Sequence, residues 1–160
     1  MITLQDSIEI NTTPEKILNW FQNLDKHFTD WHPNHTKFEK ITGGMDEGDI
    51  IRFEECIDGK WFKFNFKIHK IDKTKNGWRA EFKAPMATII FKVEEKKNTC
   101  IFSHIETFGF IKSQNPFICN VIAPIFRKLL NPKYRFDLIE KDIIEDNINL
   151  KRILEKGNNK

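Results

Sequence analysis

The segment Trp31-His32-Pro33-Asn34-His35 puts two imidazoles within four residues, with a proline that keeps His32 out of a helix. Two such nitrogens in a loop can serve as metal ligands; the plainer alternative is a pair of surface histidines beside an anchoring tryptophan. Glu55 shares the apolar face of a strand with Ile51, Phe53 and Ile57. Carboxylates are seldom buried unless they are paired, hydrogen-bonded or bound to metal, so this one either has such a partner or reaches water at the strand end. His104 lies on one strand face with Cys100, Phe102, Glu106 and Phe108, where a structural histidine is the plain alternative to a ligand. Asp146 completes the set. With about 100° per residue, Phe136, Ile139, Ile143, Leu150 and Leu154 cluster within about 60° of arc, and Asp146 falls about 20° outside it. Glu145, the rival acid, points well towards solvent.

Imidazole nitrogens from His32 or His35 and His104, with carboxylates from Glu55 and Asp146, form a donor set suited to Zn²⁺ or a similar divalent ion. Other chemistries lack a motif. No Ser/His/Asp or Cys/His arrangement, Gly-rich phosphate loop or helical His-Glu-x-x-His occurs, and no catalytic residue is assigned. Cys56, Cys100 and Cys119 are an odd count without close spacing, which excludes a disulfide framework and a thiolate zinc knuckle.

These residues need elements to hold them. Ser7 to Ile10 alternate as a short first strand. Thr13-Pro14-Glu15 is helix-start chemistry, and an apolar stripe from Ile17 to Leu24 follows. Residues 27–44 read as irregular. From Asp49 the period becomes two: one strand through Ile57, the turn signal Asp58-Gly59, then Phe62, Phe64, Phe66 and Ile68 alternating with Lys63, Asn65, Lys67 and His69. Three further strands run from Trp78, Thr88 and Thr99. Residues 117–130 are strongly apolar and carry Pro124, which should kink or split a helix. Asn131-Pro132 predicts the start of a long amphipathic helix reaching residue 155. This is an α+β order, with a meandering antiparallel sheet and one long helix laid across it.

The 160 residues make one domain, placed at 1–156 with a polar tail at 157–160. A net charge of +3, from 26 basic and 23 acidic side chains, offers no electrostatic case for nucleic acid. Fifteen Phe and four Trp against one Tyr imply a bulky core or an apolar pocket. The residues chosen as pocket-lining are Phe53, Phe62, Phe64, Phe66, Phe102 and Ile143. Residues 117–126, about ten, are too short to span a bilayer, which takes about twenty. Asp6 and Glu9 stand where a secretory signal needs a basic region and an apolar run, so a soluble, cytoplasmic protein is expected.

The element order, the opening Ile8-Glu-Ile-Asn-Thr-Thr-Pro-Glu-Lys-Ile17 and the closing Asn149-Leu-Lys-Arg-Ile-Leu-Glu155 resemble the helix-grip superfamily of the birch pollen allergen, START lipid-transfer domains and polyketide cyclases. The resemblance implies a curved sheet gripping the C-terminal helix, with an apolar cavity between them. The Trp-His-Pro segment, Glu55, His104 and an acid before Asn149-Leu150 also resemble the diacetylphloroglucinol hydrolases. These are zinc enzymes that cleave a carbon–carbon bond in an acylated phenol and bind their metal with two His and two Glu. That likeness implies His32 or His35, Glu55, His104 and Asp146 as metal ligands. The chain is much shorter, its spacings are compressed, and its helix acid is Asp146.

The leading expectation is a metal-dependent, hydrolase-like protein with a Phe-lined pocket for a small aromatic or polyketide-type molecule. The alternatives are a metal-free carrier of a small hydrophobic ligand or lipid, and an interaction module using the apolar 117–130 segment as a homodimer or membrane-surface patch.

Overall fold

The computed structural model describes residues 2–109 and 123–156. Seven strands form one antiparallel sheet: β1 (Ile2–Ile10), β2 (His35–Lys40), β3 (Ile50–Ile57), β4 (Lys60–Thr74), β5 (Gly77–Ala84), β6 (Ala87–Lys96) and β7 (Thr99–Phe108). Their order across the sheet is β1-β7-β6-β5-β4-β3-β2. Consecutive strands from β2 to β7 are hairpin neighbours, while β1 closes the far edge against β7. At the β3–β4 turn Asp58 (φ 51°) and Gly59 (φ 73°) are both left-handed, the geometry that matches the twist of the flanking strands.

Helix α1 (Pro14–Gln22) starts as its sequence predicts: Pro14 opens it, and the Thr13 hydroxyl accepts the Lys16 N–H at 3.4 Å. Its buried face, Ile17, Trp20 and Phe21, enters the main core. There Phe21 packs on Phe91 and Phe102 at ring separations of 4.7 and 5.5 Å.

The stretch expected to be irregular, residues 27–44, is largely ordered. It holds the end of α2 (Leu24–Trp31) and all of β2. Leu24, Phe28 and Trp31 bury one face of α2, and His32 leaves the helix extended (φ −144°, ψ 144°), as a residue before proline must. Helix and strand were hidden because each is short and lies beside Pro33.

Helix α3 (Ala123–Tyr134) ends at Arg135, whose φ of 52° breaks the chain direction, and α4 (Phe136–Lys156) follows. The long helix therefore begins at Phe136 and not at Asn131-Pro132, which lie inside α3. Pro124 occupies its first turn, where the missing N–H costs nothing. Of the apolar 117–130 stretch, residues 117–122, Cys119 among them, lie outside the described residues. In the described part, Ile125 and Leu129 are exposed. No described helix is long and apolar enough to cross a membrane.

Helix α4 packs over β1, β7 and β3. Its buried face is Phe136, Ile139, Asp142, Ile143, Asp146, Asn147 and Leu150, with three polar residues in the middle of an apolar stripe. That polar interruption faces the histidines.

Candidate functional site

His35 begins β2 and pairs directly with Glu55 on β3. A register shift between His35 and Lys37 bends the strand here. The imidazole stacks flat on Phe28 at 4.2 Å. Its Nδ1 lies 3.1 Å from the Phe28 carbonyl, which can only accept, so Nδ1 carries the proton and Nε2 is left with a lone pair. That Nε2 stands 3.3 Å from Asp146 Oδ1 and 3.7 Å from Glu55 Oε1. Holding the far nitrogen on a carbonyl is the arrangement that orients a ligating histidine.

His104, in the middle of β7, repeats the pattern. Its Nε2 donates to Glu106 Oε1 at 3.1 Å, two residues along the same strand face. Nδ1 is then the lone-pair nitrogen, 3.9 Å from Asp146 Oδ2. His32, at the end of α2, donates from Nε2 to Glu145 Oε2 at 3.1 Å. Its Nδ1 accepts the Asn34 N–H at 3.1 Å and lies 3.4 Å from Asp142 Oδ1. The Asn34 side-chain amide donates to that same oxygen at 2.6 Å. Trp31 locks the frame by donating its indole N–H to the Asp146 carbonyl at 2.8 Å, which joins α2 to α4 at the site.

Three buried atoms in this cluster have no hydrogen-bond partner: His35 Nε2, His104 Nδ1 and Asp146 Oδ1. A lone pair facing a carboxylate oxygen is repulsive unless a proton or cation lies between them. Burial raises the Glu55 carboxyl to about 8, with the His35 charge opposing the rise. Burial likewise holds Asp146 well above the ordinary carboxylate value against the pull of His104. Glu145, nearer solvent, is lowered by its bond from His32.

His32, His35, Asp142 and Asp146 each offer one ligand atom, and these four atoms lie within 4.8 Å of one another. Glu55 approaches this group through His35, and His104 approaches it through Asp146. All five residues chosen from the sequence thus border one buried cluster. Asp142 and Glu106 were missed. Both had a signal in the sequence: Asp142 lies one turn before Asp146 on the same helix face, and Glu106 is two residues from His104 on the same strand face. Glu145 is half-buried and serves His32 from outside the cluster.

Next to the cluster is an apolar cavity of about 170 Å³. Phe53, Phe62, Phe64, Phe66, Phe108 and Phe136 supply aromatic walls, and Glu55 and Glu106 are the charged residues lining it. The cavity and the cluster therefore share a boundary. Of the pocket residues expected from sequence, Phe53, Phe62, Phe64 and Phe66 lie on this wall, Phe64 at the exposed rim. Phe102 and Ile143 do not. Phe102 is fully buried under α1 against Phe21 and Phe91, and Ile143 packs with Ile2, Leu4, Ile57 and Phe136. Alternation placed both on the inner side, but α1 and the β1 edge had already filled the space in front of them.

No family model and no curated protein sequence matches the chain. Solved structures do. TTHA0849 from Thermus thermophilus superposes with a TM-score of 0.71 at 13% identity, covering 98% of this chain and 99% of that one. Norcoclaurine synthase from Thalictrum flavum gives 0.61 at 14% identity, over 95% and 85%. The polyketide cyclase-like protein Cgl2372 from Corynebacterium glutamicum gives 0.56 at 15% identity, over 98% and 93%. At such identities the likeness is one of fold.

Proposed function

We propose, from the helix-grip fold that this chain shares with those structures, that the protein binds a small aromatic or polyketide-type molecule in its Phe-walled cavity. We further propose that it holds a divalent metal ion, Zn²⁺ or similar, in the adjoining His/carboxylate cluster and acts there as a hydrolase. The observation that carries this reading is the convergence of His35 Nε2, His104 Nδ1 and Asp146 Oδ1, all buried and unpartnered, at the inner end of the cavity.

The donor set fits. His35 and Asp146 are its centre, with His32, Asp142, Glu55 and His104 around them. When bound, a divalent ion supplies Lewis acidity towards a carbonyl oxygen or a water. The rest belongs to the chain. Phe28 and Glu106 hold the His35 and His104 rings in the tautomers that present lone pairs. The aromatic walls exclude water and favour a flat apolar ligand whose polar end meets Glu55 and Glu106. An acylated phenol of the kind cleaved by diacetylphloroglucinol hydrolases has this shape.

A metal-free carrier is the second reading. It is favoured by the raised Glu55 and Asp146 carboxyls, which can stay protonated and so leave the cluster uncharged without an ion. Equilibrium dialysis of tag-free protein against Zn²⁺ at neutral pH separates the two. Uptake lost on His35→Ala, together with chelator-sensitive cleavage of an acylated phenol, is the expected result. Uptake below about a tenth of an equivalent would remove the hydrolase reading and leave the carrier.

A further inference from the structure

Asp146 turns its two oxygens to different histidines: Oδ1 to His35 Nε2 at 3.3 Å, Oδ2 to His104 Nδ1 at 3.9 Å. A carboxylate presented this way is in position to bridge. On the His35 side lie His32 and Asp142, whose ligand atoms are within 4.8 Å of those of His35 and Asp146. On the His104 side lies Glu106. Glu55 belongs with this second side, because both acids line the cavity and Glu106 is the carboxylate that most raises Glu55.

We infer that the cluster is a two-ion site, in which Asp146 bridges an inner position formed with His32, His35 and Asp142 and an outer, cavity-facing position formed with Glu55 and His104. This inference rests on the metal-binding reading above and adds a second ion to it.

The charge balance supports it. Five carboxylates, Glu55, Glu106, Asp142, Glu145 and Asp146, crowd three imidazoles. Among the described ion pairs no lysine or arginine reaches any of them except Lys141 at Glu145. A single divalent ion leaves most of that charge unmatched, whereas two offset nearly all of it. The histidines agree. Each of the three has one nitrogen tied to a protein oxygen, namely Glu145, the Phe28 carbonyl or Glu106, and turns the other inward. Three oriented lone pairs around one bridging carboxylate exceed what one tetrahedral ion needs alongside Asp142 and Glu55. His32 Nδ1 is the weakest of the three, because a cation must win it from the Asn34 N–H. Paired ions sharing a carboxylate are suited to hydrolytic chemistry, where attacking and leaving oxygens are both stabilised.

The test counts ions. Chelator-stripped full-length protein is dialysed to equilibrium against Zn²⁺ at neutral pH, and bound metal is measured by elemental analysis. The wild type should hold about two equivalents, and His104→Ala and Glu55→Gln about one each. A wild type saturating at about one equivalent overturns the two-ion inference and leaves the single-ion reading standing. Uptake below about a tenth of an equivalent sinks both. About two equivalents retained by both variants would place the second ion elsewhere and overturn the outer position. Circular dichroism melts check each fold, and should His104→Ala fail to fold, Glu55→Gln carries the comparison from its half-buried position.

Discussion

His35 Nε2 and Asp146 Oδ1 stand 3.3 Å apart, buried, and neither has a hydrogen-bond partner. One comes from the first residue of β2 and the other from the middle of α4, more than a hundred positions later in the chain. The Trp31 indole, bonded to the Asp146 carbonyl, holds the helix at that separation. The pair is costly in an empty site and productive in a filled one, and this difference is measurable.

Asp146→Leu removes a buried, unpartnered carboxyl. In chelator-treated protein the variant should be more stable than wild type by about 1–3 kcal/mol, read as a melting temperature higher by about 2–4 °C for each kcal/mol. With Zn²⁺ present the order should reverse, because the wild type gains ligand-binding free energy that the variant lacks. Melting both proteins under both conditions decides the matter. Identical curves would mean that Asp146 neither strains the empty cluster nor binds metal.

Glu55 makes the metal-free protein sensitive to alkali. Its folded-state value is raised to about 8, against an ordinary carboxyl near 4.3 in the unfolded chain. Between those values the native state holds the extra proton, so unfolding stability falls as pH rises through that window and levels off above about 8. Glu55→Gln should flatten this slope. Urea midpoints of chelated protein at about pH 5, 7 and 9 measure it, and parallel profiles for variant and wild type would contradict the assignment.

Metal uptake should run the other way with pH. Imidazole binds metal only when neutral, and the carboxylates only when ionised, so bound Zn²⁺ should be much lower at about pH 5 than at about pH 7.5. His35→Ala should reduce uptake more than His32→Ala, whose Nδ1 is already shared with Asn34. Equal losses from the two variants would show that their imidazoles are interchangeable.

The cavity can be tested apart from the metal. Phe64 stands at the exposed rim, so Phe64→Lys should leave the fold intact and weaken binding of a fluorescent apolar probe several-fold. Phe66→Ala is the contrasting change. That ring is buried, and its loss should cost about 3–5 kcal/mol of stability. A folded Phe64→Lys protein that binds the probe as wild type does would show that the cavity is not the probe's site.

What this chain states locally, it states clearly. Period-two alternation from Ile51 to Ile57 and from Phe62 to Ile68 determined strands and their inner faces, because a strand places every second side chain on one side whatever surrounds it. Thr13-Pro14 determined a helix start through a hydroxyl and a missing N–H, which act within one turn. The polar residues that break the inward faces, Glu55, His104 and Asp146, were visible for the same reason. Three things needed the tertiary structure. The helix α2 and strand β2 on either side of Pro33 are too short to carry a period and are held by burial of Phe28, Trp31 and Phe38. Phe102 and Ile143 face inward as alternation and helical spacing require, yet which inward side chains meet empty space depends on where α1 and β1 lie. The choice of lone pairs is decided last of all. Which nitrogen of His35 or His104 points at Asp146 is set by the Phe28 carbonyl and by Glu106, contacts that exist only once helix, strand and sheet have been brought together.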